Sequence, residues 1–350
     1  MKKIALKTGL LIFTINVFYI LSINAQDIHF SQYRETPMLI NPAQTALNKD
    51  VRIILNYKDQ WRSFVSPYKT FAFSGEMKIK NKKKKESYIG LGIQIYSDKA
   101  GDSKMGTTMG ALNLNGVIKL NNKSKLGLGI MGGLGQHTID YSDLRWENQY
   151  VGTSYSPSAA TGEQEGTTSF SYPDAGAGIA WNYGKDQMYI SANNGVHATI
   201  GISAFHFGLS KYSFYGQTNE KLNTKFIVHG NFDFGVKNSN LIIAPELFYT
   251  KQGALQELEI GSLFKYILSE ESKYTNFKKN SAISIGVNYR IGDAFIPCVM
   301  YEFSNYAVGI SYDVNFSKLS RASSSRGGFE VSIRFVTPNP FGSKSKVSFS

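Results

Sequence analysis

The sequence predicts an all-β protein, a transmembrane antiparallel β-barrel of about 14 strands in a bacterial outer membrane. Three observations carry this. Apolar and polar residues alternate with period two, segment after segment, which puts one apolar and one polar face on each strand. No segment after the N-terminal leader has 18 consecutive apolar residues, so helical spans are excluded. The chain has 33 Gly, 23 Phe and 21 Tyr with only 18% charged residues, a composition of large antiparallel β-proteins rather than of disordered chains.

The elements follow in order. Lys2, Lys3 and Lys7 precede an apolar run from Leu10 to Ile23, and small residues lead to Ala25. This is the layout of a secretory signal peptide over 1–25, cleaved near Ala25. Residues 26–50 read as a periplasmic or lumenal segment, because Asn41-Pro42 favours a fixed turn over a continuing helix. The barrel is expected over 51–336 and a C-terminal tail over 337–350. The strands read as 51–60, 68–79, 88–97, 106–119, 125–137, 173–184, 199–208, 224–235, 240–250, 256–268, 281–290, 293–303, 305–316 and 328–336.

The small and polar faces are rich in Gly, Ser and Asn, as a lumen would be. Glu76, Lys119, Asp233, Glu259, Arg290 and Asp313 lie on these faces and are expected to point inward. A lipid-facing Arg or Lys near the midplane would cost about 2–4 kcal/mol. Tyr57, Tyr96, Tyr183, Tyr249, Tyr266, Tyr289 and Tyr301 sit near strand ends, where an aromatic girdle belongs. An even barrel begins and ends in the periplasm. The connection from Thr138 to Tyr172 then lies outside and Lys82–Lys85 inside. The connections Gly184–Val196 and Ser269–Asn280 are long for periplasmic turns, and those near Gly253 and Gly292 are short for surface loops.

Chemistry-bearing motifs are few. Gly127-Leu128-Gly129-Ile130-Met131-Gly132 matches a dinucleotide fingerprint, but no βαβ unit surrounds it and Leu126, Leu128 and Ile130 alternate as in a strand. The five His residues show no metal spacing, and His197 and His206 read as ordinary loop and lumen residues. Cys298 stands alone, which excludes a disulfide framework. No G-x-S-x-G is present. An outer-membrane hydrolase could still assemble a Ser–His site on the barrel wall, but no spacing here asks for one, nor for a cofactor or metal; the expected contact is the bilayer and not nucleic acid.

Three segments resemble the PorP/SprF family of outer-membrane proteins of the type IX secretion and gliding system. The first is Gln26-Asp27-Ile28-His29-Phe30-Ser31-Gln32-Tyr33 with Leu39-Ile40-Asn41-Pro42-Ala43. The second is Gln60-Trp61-Arg62-Ser63-Phe64 with Tyr68-Lys69-Thr70-Phe71. The third runs from Asp293-Ala294-Phe295 through Ser311-Tyr312-Asp313-Val314-Asn315 to Ser325-Arg326-Gly327-Gly328-Phe329-Glu330-Val331-Ser332. The resemblance implies a non-enzymatic component of the type IX apparatus that supports secretion or surface anchoring of partner proteins. It marks Phe30, Ser31, Gln32, Tyr33, Asn41, Pro42, Gln60, Trp61, Arg62, Arg326, Gly327 and Gly328 as structural or partner-contact positions. Read without the family, Gly327-Gly328 would permit a φ-positive approach to the last strand. Long-chain fatty-acid channels also have 14 strands and an Asn-Pro-Ala near an N-terminal plug, so a transporter of hydrophobic small molecules is the alternative. Family members often stop soon after the last strand, so the tail from Thr337 to Ser350 is a departure.

Overall fold

The computed structural model describes residues 27–62, 66–80, 86–152, 154–163, 166–185, 193–207, 212–216, 221–269, 280–317, 320 and 324–337. The leader, the Lys82–Lys85 run and nearly all of the C-terminal tail lie outside the described residues. The strands are β1 (Val51–Gln60), β2 (Tyr68–Lys80), β3 (Ser87–Ala100), β4 (Met105–Lys119), β5 (Ser124–Thr138), β6 (Tyr150–Val151) and β7 (Ser154–Tyr155). They continue as β8 (Ser169–Lys185), β9 (Val196–Phe205), β10 (Lys225–Gly235), β11 (Leu241–Gln252), β12 (Leu255–Ser269), β13 (Ser281–Arg290), β14 (Ala294–Phe303), β15 (Tyr306–Asn315) and β16 (Arg326–Thr337). All but β6 and β7 form one closed antiparallel barrel in which each strand pairs with its neighbours in sequence and β1 closes against β16. The closing seam is complete, from Val51 opposite Thr337 to Gln60 opposite Gly328. With no edge left open, backbone groups need no water at membrane depth.

The expected count of 14 therefore holds, and with it the parity of the connections. Residues 253–254 and 291–293 lie on the same rim as the ends of β1, β5 and β9. Ser269, which ends β12, and Ser281, which begins β13, lie on the rim where β1 begins and β16 ends. The 139–168 connection carries the small β6–β7 ribbon. Strand β8 begins at Ser169, earlier than the expected 173, and Pro173 lies within it.

Alternation sorts the side chains. Ile89, Leu91, Ile93 and Ile95 of β3 are exposed on the outer wall, as are Leu112, Leu114, Leu128, Ile130, Phe264 and Ile285. Glu76, Glu259, Arg290 and Asp313 are buried inside, and Asp233 also faces the lumen, where it pairs with Arg34. Lys119 lies on the inward parity of β4 but is exposed at its end. Tyr57, Tyr266, Tyr289 and Tyr301 are exposed outward as a girdle requires, but Tyr96 is only 5% exposed and faces inward. The reason is parity: on β3 the odd positions face out, and 96 is even. The lumen is also less polar than expected. Met109, Met131, Phe205, Ile227 and Phe248 form an inward apolar zone.

No helix among the described residues is long and apolar enough to cross a membrane. The helical turns are short: Tyr33–Glu35, Pro37–Ile40, Pro42–Gln44 and Glu147–Gln149. The first three belong to the segment that fills the barrel.

Candidate functional site

Residues 27–47 cross the lumen from one rim to the other. Asp27 meets Lys225 at the start of β10 and Gln252 at the end of β11, on the rim of the long connections. Leu47 meets Tyr88 near the start of β3, at the opposite rim. The chain then turns back into β1. Local sequence shapes this path. Pro37 and Pro42 each open a helical turn, where a missing N–H costs nothing. The Asn41 side chain caps the second turn by accepting the Ala43 N–H at 2.9 Å.

Packing holds the segment through two apolar contacts. Phe30, Tyr33 and Ile40 pack into the inward zone of Met109, Met131, Phe205, Ile227 and Phe248, and Tyr33 stacks on Phe248 with ring centroids 5.0 Å apart. Ala43 and Leu47 pack on Tyr88, Val117 and Ala180. Each fully buried large apolar side chain contributes about 1.5–3 kcal/mol relative to exposure.

A buried ionic cluster adds direction. The Glu330 carboxylate accepts the backbone N–H groups of Ser31 at 2.8 Å and Gln32 at 2.9 Å. The Ser31 hydroxyl donates to Asp313 at 2.7 Å and accepts from Arg290 at 2.8 Å and Lys58 at 3.1 Å. Arg290 also pairs with Glu257 at 3.2 Å, Glu259 at 3.4 Å and Asp313 at 3.1 Å. Lys58 also donates to the carbonyl of His29 at 3.2 Å. Gln32 accepts from Ser332 at 2.7 Å and donates to Ser311 at 3.2 Å. Buried charges require such partners, and removing one leaves the rest unpaired. Phe30-Ser31-Gln32-Tyr33 is therefore one anchor, with two rings in apolar contact and two polar residues on charged wall groups.

Two further ion pairs follow along the segment. Arg34 reaches Asp233 at 2.6 Å. Glu35 accepts from Arg334 at 2.5 Å, which also holds Glu302 at 2.5 Å, and Glu302 pairs with Lys265. At the rim, Asp27 lies 3.1 Å from Lys225 and 3.2 Å from His206, whose other ring nitrogen is 3.0 Å from Asp174. Burial alone would lower the His206 pKa, but the Asp174 and Asp27 carboxylates outweigh it and push it up to about 9. Burial likewise opposes the charge on Asp27, yet Lys225 and His206 hold its carboxyl well below the usual range. His206 is thus not the ordinary residue expected from sequence.

The walls make room by lacking side chains. A Cβ on Gly129 would lie 2.2 Å from the Ala43 nitrogen, and one on Gly127 would lie 2.7 Å from the Ala43 carbonyl oxygen. A Cβ on Gly90 would meet the Thr45 carbonyl oxygen at 2.3 Å, and one on Gly178 the Asn41 amide oxygen at 2.2 Å. The dinucleotide-like motif is a groove for the segment's own backbone. Asn115 closes this region by donating to the carbonyls of Ala43 at 2.7 Å and Thr45 at 2.8 Å. Asn41 donates to the carbonyls of Ile179 at 3.1 Å and Ile202 at 3.2 Å, and its amide lies 3.1 Å from His229.

The remaining singled-out residues gather elsewhere. Gln60 pairs with Gly328 in the seam register, and the Trp61 N–H donates to the Gly327 carbonyl at 2.9 Å. Trp61 also packs edge-on against Tyr68, centroids 4.8 Å apart. Arg62 pairs with Asp59 at 2.5 Å. The expected φ-positive role of Gly327 and Gly328 is not what the backbone shows. The left-handed residues are Ser324 and Ser325, at φ 52° and 61°. Gly327 lies in a paired strand, and a Cβ there would meet the Asp313 carbonyl oxygen at 2.4 Å. Its small size, not its freedom, is used.

A family model described as type IX secretion system membrane protein PorP/SprF matches residues 22–335. The chain belongs to the PorP/SprF family. The lumenal anchor, the seam and the last strand all fall within the matched span. No curated protein matches the sequence. Solved structures with a similar backbone include BamA from Haemophilus ducreyi lacking POTRA domains 1–3, at 9% identity and TM-score 0.39, covering 83% of this chain and 71% of that one. A FadL homologue of Pseudomonas aeruginosa gives 11% identity and TM-score 0.40, covering 85% and 92%. A mutant of the monoaromatic hydrocarbon channel TodX gives 8% identity and TM-score 0.41, covering 86% and 94%. Membership rests on the family model.

Proposed function

We propose that this PorP/SprF protein is an outer-membrane component of the type IX secretion apparatus that supports secretion or surface anchoring of a partner protein by binding at its rims. The observation that carries this reading is the lumen occupied by the chain's own residues 28–47, tied to the wall by Glu330, Asp313, Arg290 and Lys58. A barrel filled in this way offers its connections, not its bore, to a macromolecule. In this reading 1–25 is removed on export, the rim bearing 139–168 faces outward, and the rim where β1 begins meets the periplasmic machinery. The protein carries no catalysis; the singled-out residues shape the plug and the seam.

A second reading, passage of hydrophobic small molecules, is favoured by one feature. A small cavity of about 40 Å³ beside the segment is lined by Phe30, Leu39, Ile227 and Phe248, with Lys225 and Glu257. Deletion of the gene separates the two. The secretion reading predicts loss of one or a few proteins from the surface or medium, with uptake of fatty acids and other apolar solutes unchanged. Normal display with lost growth on an apolar substrate would reject it in favour of transport.

A further inference from the structure

The seam where β1 meets β16 carries a feature that the plug does not use. On the outer wall, beside the rim of the long connections, lies an open cleft of about 670 Å³. Tyr57, Tyr312 and Phe329 line it, together with Asp59, Arg62 and Arg326. The register explains the grouping: Phe329 lies opposite Asp59 on one side and Tyr312 on the other, and Tyr57 is two residues before Asp59 on the same face. Tyr57, Tyr312 and Phe329 are each 38–42% exposed on the lipid-facing wall. Aromatic side chains at a strand end mark the level of the lipid headgroups.

The two arginines sit at that level. Arg62 has a side chain 72% exposed, and Arg326 is exposed as well. Asp59 is buried beneath, and it fixes Arg62 at 2.5 Å while the Tyr57 hydroxyl donates to the same carboxylate at 3.2 Å. Among the described residues Arg326 has no carboxylate partner. One carboxylate against two guanidinium groups leaves a net positive cleft over an aromatic wall. The strands themselves hold both arginines near the cleft. The Trp61 N–H bond to the Gly327 carbonyl ties the residue before Arg62 to the residue after Arg326.

We infer that this cleft binds a membrane lipid bearing an exposed phosphate, its acyl chains against Tyr57, Tyr312 and Phe329 and its phosphate on Arg62 and Arg326. Guanidinium groups suit phosphate through paired, charge-assisted hydrogen bonds. The aromatics would supply the apolar contact that a free anion does not need. The site would fix a lipid at the barrel's closing seam.

The test uses the full chain purified in a neutral detergent. Binding of bis-phosphorylated lipid A is titrated by native mass spectrometry, beside dephosphorylated lipid A and inorganic phosphate as competitor. The wild-type protein should prefer the phosphorylated lipid, and inorganic phosphate at equal concentration should not displace it. The Arg62→Gln/Arg326→Gln variant should lose about thirtyfold in affinity, from about 1 kcal/mol for each basic contact. Its barrel is checked by the shift in gel migration on boiling. Equal binding of the dephosphorylated lipid by the wild type would overturn the proposal without recourse to any variant. Unchanged affinity in the folded double variant would do the same, and displacement by inorganic phosphate would show a simple anion site instead.

Discussion

Glu330, in the last strand, accepts the backbone N–H of Ser31 at 2.8 Å, although 299 positions separate them. Glu330 lies on the strand that closes the wall, opposite Lys58 of β1 on one side and Ser311 of β15 on the other. The same strand offers Ser332 to Gln32 and Arg334 to Glu35. The last strand therefore closes the wall and reads the N-terminal segment with its inner face.

Truncating Glu330 should expose how far the clamp stabilises the fold. Glu330→Ala leaves Lys58 without one partner and two N–H groups without an acceptor. The expected loss is about 3–5 kcal/mol, read as a lower urea midpoint in detergent. Glu330→Gln keeps one acceptor and should lose less. Equal midpoints for wild type and Glu330→Ala would show that the clamp is not coupled to stability.

Gly129 gives a cleaner test of the groove. Gly129→Leu would drive a side chain into Pro42–Ala43, while Gly132→Ala on the same strand meets nothing within 4 Å. The first should weaken docking of the segment by about 1–3 kcal/mol or more, seen as faster proteolysis within 27–47. The second should behave as wild type. Similar protection in both would mean that the segment is not seated where Gly129 faces it.

These glycines mark the boundary of what was legible. Period-two alternation gave the strands, the count and the inward charges, because a strand's faces are set by residue number alone. Alternation cannot say what a lumen contains. Gly90, Gly127, Gly129 and Gly178 share the inward parity of their strands, and that shared parity was the available signal for a buried backbone. It reads only when the strands are ordered around a common axis. The seam was hidden for a related reason: Trp61 and Gly327 are distant in sequence, and only barrel closure puts them 2.9 Å apart. Tyr96 was readable, since its even number already placed it inside.

The rim contact of Asp27 should depend on pH. His206 titrates near 9 in the folded protein, above its ordinary value of 6.5. Its contribution is full below about pH 6.5 and disappears as pH rises through about 9. Asp27 is held well below the usual carboxylate range, so its own charge survives mild acid. Labelling of an Asp27→Cys neighbour would disturb the pair, so backbone hydrogen exchange at Ile28 is the suitable probe. After correction for the intrinsic rate, protection should fall between pH 7 and 10, and His206→Gln should abolish that dependence. Flat protection in the wild type would remove His206 from the anchor.

Topology follows from parity. Protease added to whole cells should cut within 139–168 and leave 81–86 intact. Cleavage confined to 81–86 would invert the barrel and exchange the roles given to the two rims.

The plugged-barrel account is tested most directly by locking the segment in place. Gln32→Cys and Ser332→Cys, in a Cys298→Ser background, put two thiols where the native side chains meet at 2.7 Å. A short bifunctional thiol reagent with a reducible link joins them in cells, and display of the surface protein lost in the deletion strain is measured. The account predicts efficient cross-linking and normal display with the segment locked. Loss of display on cross-linking, restored when the link is reduced, would contradict it by showing that the segment must leave the lumen for the protein to work.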